Sequence, residues 1–163
     1  MATESVREDI AAAWAEEAYP GDDRIAYNTS ARQEECNQVT GFFRGKHWRD
    51  ITLESLAEEY EGDGAACLAF MTPAAYRFYL PAYMLISIDH PGTGDILADA
   101  AVGSLAPWPD PTPRLQAWWA ERVSDFSPAQ RKVIVEFLRF LRERYAWGPP
   151  QLAAALRYWE SKI

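Results

Sequence analysis

Apolar side chains recur every three or four residues along most of this chain, a spacing typical of amphipathic α-helices. Wherever the pattern stops, glycine, proline or a capping side chain stands nearby. The spacing predicts helices over residues 4–18, 30–43, 52–60, 95–104, 115–123, 127–145 and 152–159. The predicted fold class is therefore all-α.

The segment 72–89 is different, because beyond Arg77 apolar side chains cover every direction around the helix. A helix of this kind is either buried in protein or spans a membrane. The uninterrupted apolar run from Phe78 to Ile88 is well short of the ~20 residues that a bilayer requires, so we expect a buried helix. The sequence thus predicts a single-domain orthogonal bundle over residues 1–163, with about six to eight helices around this central one.

Two hydroxyl residues that precede prolines mark the starts of helices. Thr72 and Ser127 suit the N-cap position, and the proline after each suits the first helical position. Gln130 is placed to complete a capping box with Ser127. Within the central helix, Pro81 lacks the N–H group that would bond the carbonyl of Arg77, so we expect a kink there.

An acidic stretch follows the third predicted helix. Two glycines interrupt it, which predicts a loop, and no Lys-Ser/Thr pair follows them as a phosphate-binding loop would require. Its acidic members are Glu58, Glu59, Glu61 and Asp63. Residues 65–70, which come next, are expected to form an extended lead into the central helix or a brief strand.

The net charge of −8 is concentrated in the N-terminal part of the chain, where residues 1–63 hold 15 of the 24 acidic side chains and 6 of the 16 basic ones. Such a surface lacks the basic footprint that nucleic acid requires, so we predict no nucleic-acid partner. No segment is suited to membrane insertion. The acidic surface favours a basic protein partner or simply solubility.

Chemically reactive side chains are few. His47 and His90 stand beside a turn or an aromatic residue, where structural histidines are commoner than catalytic ones. Cys36 and Cys67 share no zinc-site spacing with them, and no cofactor motif is present. We predict no catalytic set, no metal and no cofactor. The N-terminal segment is acidic rather than hydrophobic, and no cysteine framework exists, so we expect a cytoplasmic protein.

Two further features are candidates for contact with a partner. Asp22 and Asp23 follow the Pro-Gly turn at 20–21; carboxylates in turns commonly cap the chain that follows, but a catalytic or metal role and partner contact stay open. Trp108 lies in a proline-rich connection over 107–113 and is a candidate interface anchor.

Four phrases together resemble a family of small bacterial proteins of unknown function. They are Y-P-G-D-D-R-I at 19–25, F-F-R-G-K-H-W at 42–48, M-T-P-A-A-Y-R-F-Y-L-P-A-Y-M at 71–84 and S-P-A-Q at 127–130. The resemblance implies a single bacterial domain, and proteins of this kind are often encoded beside toxins. It implies no catalytic residues.

The leading functional hypothesis is a non-enzymatic protein-binding protein, in particular an immunity-type inhibitor that neutralises a basic toxin domain. The residues expected to contact that partner are Asp22, Asp23, Glu58, Glu59, Glu61, Asp63 and Trp108. One alternative is an enzyme that uses Asp22, Asp23 or His47 in a cleft beside the central helix. Another is a homodimeric scaffold or regulatory module.

Overall fold

Helices form nearly all the regular structure in the computed structural model, which describes residues 2–27, 33–145 and 148–163. The α-helices are α1 (Ala2–Ala13), α2 (Glu34–Phe43), α3 (Leu53–Glu58), α4 (Cys67–Phe70), α5 (Pro73–Asp89), α6 (Asp95–Leu105), α7 (Pro113–Val123), α8 (Pro128–Arg144) and α9 (Leu152–Glu160). Short 3₁₀ turns lie at Trp48–Asp50 and Gly64–Ala66. All nine α-helices contribute to one hydrophobic cluster, which confirms the predicted single-domain, all-α fold.

Two predictions of local structure, one helix end and one conformation, were wrong. The first helix ends at Ala13 rather than 18, because Glu17 leaves the helix axis to pair with Arg77 of α5. Residues 65–70 are helical rather than extended, because the carboxylate of Asp63 accepts a hydrogen bond from the N–H of Ala65 and starts a turn that continues into α4. With this extra helix, eight α-helices of the described residues accompany α5, within the six to eight expected. The start predicted for α2, at 30–32, lies outside the described residues.

The predicted helix starts at Thr72 and Ser127 are confirmed. The hydroxyl of Thr72 accepts a hydrogen bond from the N–H of Ala75 at 3.2 Å. The Ser127 hydroxyl accepts from the N–H of Gln130 at 3.1 Å, while the Gln130 side chain accepts from the N–H of Ser127 at 3.0 Å. Each helix therefore begins with its free N–H groups partly satisfied.

Helix α5 contacts α1, α4, α6 and α7. From Ala75 to Ile88 its side chains are buried, with Arg77 and Leu85 partly exposed. The hydroxyl of Ser87 donates to the carbonyl of Tyr83 at 2.6 Å, so this polar group is satisfied within the helix. The apolar positions can therefore face neighbours on all sides.

Three buried tyrosines of α5 connect it to three other parts of the fold. The Tyr76 hydroxyl shares a hydrogen bond of 2.8 Å with the Ser104 hydroxyl on α6. The Tyr79 hydroxyl lies 2.8 and 2.7 Å from the carbonyls of Phe43 and Lys46 at the end of α2. The Tyr83 hydroxyl donates to the carbonyl of Gly64 at 2.6 Å. Each phenol buries its ring and gives its hydroxyl a hydrogen-bond partner in another part of the fold.

Pro81 leaves a gap in the hydrogen bonding of α5 that Trp14, the residue directly after α1, fills. Because proline has no N–H, the carbonyl of Arg77 lacks the donor that a helix normally supplies four residues later. The indole Nε1–H of Trp14 donates to this carbonyl at 2.8 Å. Trp14 is fully buried, so the same side chain fills the space between the two helices.

A polar network adjoins this contact. Arg77 Nε lies 2.6 Å from Glu17 Oε1, and the Gln130 side chain donates to Glu17 Oε2 at 2.7 Å. Both ion-pair partners are largely buried, with 20% and 14% of their side chains exposed. The network thus joins the segment after α1 to α5 and to the start of α8.

We expect Tyr79→Phe to lower the free energy of unfolding by about 1–3 kcal/mol, because the Lys46 carbonyl loses this donor and the Phe43 carbonyl keeps only the N–H of Lys46. Chemical denaturation measures the change. The control is Tyr158→Phe, which removes a partly buried hydroxyl with no hydrogen bond among the described residues and is expected to cost less than about 0.5 kcal/mol. Equal effects of the two variants would contradict this role.

Candidate functional site

The six predicted partner-binding carboxylates are all exposed, and none forms an ion pair within the described residues. The first group lies near the end of α2. The hydroxyl of Tyr19 donates to Asp22 Oδ1 at 2.7 Å and accepts from the N–H of Gly45 at 2.8 Å. Asp22 is therefore held beside the turn that follows α2, and Asp23 stands next to it in the chain.

The second group is the acidic loop, residues 58–63, after α3. Glu59 and Glu61 line an open cavity of about 270 Å³ together with Tyr60 and Lys46. The sequence did not predict that the basic residue Lys46 lies beside the acidic loop. Its ammonium group donates to the carbonyl of Phe42 and lies 4.3 Å from the centre of that ring. Glu59 and Glu61 thus lie beside a positive charge that also has a local hydrogen-bond partner.

Trp108 lies on a different part of the surface, at an opening that we call the aromatic pocket. Its ring is 37% exposed and stands edge-on to Trp118, with 5.9 Å between the ring centres. The pocket has a volume of about 190 Å³ and is lined by Ala65, Leu68, Ala69, Ala100, Gly103, Ser104, Trp108, Trp118, Trp119 and Arg122. Ala65 is two residues beyond Asp63, so the pocket adjoins the end of the acidic loop.

Arg122 forms part of the wall of this pocket and is only 2% exposed. Its guanidinium donates to the carbonyl of Met71 at 2.9 Å and to the carbonyl of Leu68. It also lies 4.0 Å from the ring centre of Tyr76 and 5.1 Å from that of Trp118. No carboxylate pairs with it among the residues that the structure describes.

Burial lowers the pKa of Arg122, but arginine starts so high that the group stays charged at neutral pH. Arg122 was not among the functional residues predicted from the sequence. A signal was present, because Arg122 follows Trp118 by four positions and Trp119 by three, which places it on the apolar face of α7.

A larger cleft of about 500 Å³ lies between α1, α5 and the segment 48–54. Arg7 and Asp89 form an ion pair of 3.0 Å there, and His90 and Trp48 also line the cleft. The buried indole N–H of Trp48 has no hydrogen-bond acceptor within the described residues. The cleft therefore combines charged groups of both signs with an apolar base.

The carboxylates and histidine suggested for an enzyme do not meet in this cleft. Asp22, Asp23 and His47 are absent from its lining. His47 Nδ1 accepts a hydrogen bond from the N–H of Arg49 at 3.1 Å and caps the 3₁₀ turn that follows. This is a structural use of the imidazole.

The two cysteines, Cys36 and Cys67, are buried as free thiols. Burial raises the pKa of Cys67 to about 11, so its thiol is protonated at neutral pH and is a weak nucleophile. Across residues 2–27, 33–145 and 148–163, no group of three or more His, Cys, Asp or Glu side chains is arranged to hold a metal. Within the same ranges no helix is both long and apolar enough to cross a bilayer.

The family model of DUF6714, a family of unknown function, matches residues 20–163. The chain belongs to this family. The DUF6714 match includes α5, the acidic loop and the aromatic pocket, whereas α1 and Trp14 lie before it. Membership confirms that the chain resembles a family of unknown function. No curated protein and no solved structure matches the chain.

We expect Arg122→Met to lower the free energy of unfolding of this DUF6714 protein by at least about 2 kcal/mol, because the buried carbonyls of Met71 and Leu68 lose their side-chain donor and Leu68 keeps only the N–H of Met71 at 3.3 Å. Thermal or chemical denaturation measures the loss. The control is Arg142→Met, which changes an exposed arginine on α8 and is expected to cost less than about 0.5 kcal/mol. A loss for Arg122→Met as small as that of the control would contradict the structural role of the buried guanidinium.

Proposed function

We propose that this is a bacterial, cytoplasmic, non-enzymatic protein-binding protein, most concretely an immunity-type inhibitor that covers the active site of a basic toxin domain. The observation that carries the proposal is the set of six exposed carboxylates without ion pairs, beside the end of α2 and in the acidic loop. Glu17 and Glu160, in contrast, are paired with arginines. None of the six has an ion-pair partner among the described residues, although Asp22 and Asp63 accept local hydrogen bonds.

Unpaired acidic groups of this kind act on association before contact is made. Their summed field reaches over roughly the Debye length, ~10 Å at 0.1 M salt, and attracts a basic surface. Close charge pairs in the complex then add to the affinity. Lys46 offsets only part of this field, because it brings one positive charge against the four carboxylates of the acidic loop.

Trp108 offers the apolar anchor that such an interface requires. Exposed tryptophans are among the residues that contribute most to binding, since a rigid indole buries a large area at low entropic cost. Trp108 adjoins the aromatic pocket, whose wall at Ala65 is close in sequence to Asp63. Charge and apolar contact are thus available near one another.

The test is coexpression with the product of the adjacent gene, followed by purification of the complex and measurement of its association rate. We expect a stable complex and rescue of the growth defect that the partner causes alone. In Glu59→Lys/Glu61→Lys the association rate at low salt is expected to fall at least about tenfold, because steering is lost.

The matched control is Asp9→Lys/Glu143→Lys, which changes the net charge equally at exposed sites on α1 and α8. It is expected to retain most of the association rate. If neither a complex nor rescue is observed, the proposed inhibitor function fails. If both double variants slow association equally, the acidic loop is not the contact surface.

The two alternatives stay predictions. An enzyme would need a reactive group in one of the cavities, and the 500 Å³ cleft with His90 is the place to look for it. A homodimer would be detected by the mass of the purified protein in solution.

A further inference from the structure

The positive charge of Arg122 is the least explained feature of the molecule. Fully buried arginines are rare unless they are paired with an anion, since removal of an ion from water is costly. The carbonyls of Met71 and Leu68 and the hydroxyl of Tyr27 interact with the guanidinium of Arg122, and Tyr76 offers the face of its ring. These groups are dipoles and a quadrupole, so no described group supplies a compensating negative charge.

The space beside this charge is apolar and aromatic. Trp108, Trp118 and Trp119 line it, and the remaining lining is mostly alanine, leucine and glycine. The indole N–H of Trp119 is already used, because it donates to the carbonyl of Ser104 at 2.9 Å. The Ser104 hydroxyl is also engaged, with Tyr76 and with the carbonyl of Ala101. Arg122 is thus the one charged group among the described residues of the lining.

The size of the space limits what can enter. Its volume of about 190 Å³ is below the ~300–1,000 Å³ of ordinary ligand pockets and suits a body of one aromatic ring. Trp108 is partly exposed and Ala69 is exposed at its edge, so a small molecule has access from solvent.

We propose that the aromatic pocket binds a small organic monocarboxylate with an apolar body of about one aromatic ring, its carboxylate directed towards Arg122. The ring contacts the tryptophans, and the carboxylate supplies the negative charge that the guanidinium lacks. Charge-assisted hydrogen bonds between guanidinium and carboxylate are stronger than neutral ones. A cation is excluded by repulsion, and the part of the lining that the structure describes offers a phosphate no second basic group. The pocket shares Trp108 with the proposed toxin interface, but binding of the acid does not require the toxin.

The test is a titration of the intact protein with phenylacetate, in which binding is monitored by tryptophan fluorescence and by NMR. Phenylacetamide has the same ring and nearly the same size without the charge. We expect phenylacetate to bind at least about tenfold more tightly than phenylacetamide, since the charge-assisted contact is lost in the amide. Equal affinities would overturn the proposal, and so would no binding of phenylacetate at millimolar concentration.

A substitution that fills the pocket without a change to Arg122 locates the binding. Ala100 is half-buried in the pocket wall on α6, and Ala100→Leu is expected to weaken phenylacetate binding at least about tenfold. Ala57→Leu places the same side chain at an exposed position of α3 outside the pocket and is expected to bind as the unaltered protein does. Thermal melts establish that both variants are folded. Unchanged binding in Ala100→Leu would contradict the assignment.

A third arm distinguishes a free acid from the end of a peptide chain. A short peptide that ends in phenylalanine with a free carboxylate offers the same ring and charge, and its amidated form is the control. We expect phenylacetate to bind at least as tightly as this peptide, because the pocket accommodates little beyond one ring. A peptide that binds while phenylacetate does not would overturn the proposal in favour of a peptide terminus.

Discussion

The contact on which the fold most depends is the hydrogen bond from the Trp14 indole to the carbonyl of Arg77. Pro81 creates the need for it, because proline withholds the N–H that the carbonyl would otherwise bind. A buried carbonyl without a donor costs free energy. The need to supply that donor therefore determines where Trp14 lies relative to α5. The side chain of the same Arg77 then binds Glu17, which fixes the segment that leads away from α1.

The buried polar groups of α5 place the surfaces to which we assign binding. Tyr79 holds the end of α2, near Asp22 and Lys46, and Tyr83 holds Gly64, just after the acidic loop. Tyr76 contacts both Ser104 and the guanidinium of Arg122, at the base of the aromatic pocket. Substitutions on this helix are thus expected to disturb both surfaces, even though α5 itself is mostly covered.

The parts of the fold that follow from local chemistry were predictable from the sequence. Caps at Thr72 and Ser127 depend on neighbouring residues alone, and they are present. The contacts that depend on distant residues were not: Glu17 pairs with Arg77 across 60 positions, and Arg122 binds the carbonyl of Leu68 across 54. Sequence periodicity reports which face is buried, but it does not report which buried charge meets which carbonyl. For that reason Trp108 was the one residue of the aromatic pocket that the sequence predicted to contact a partner.

The most direct test of the central contact is a double-mutant cycle between Trp14→Phe and Pro81→Ala, measured as free energies of unfolding. Alanine at position 81 supplies the missing N–H, so the Arg77 carbonyl no longer needs the indole. Trp14→Phe is expected to cost at least about 1 kcal/mol less in the Pro81→Ala background than in the unaltered protein, since the loss of ring volume is common to both. Costs that agree within about 0.3 kcal/mol would contradict the account, because the two residues would then act independently.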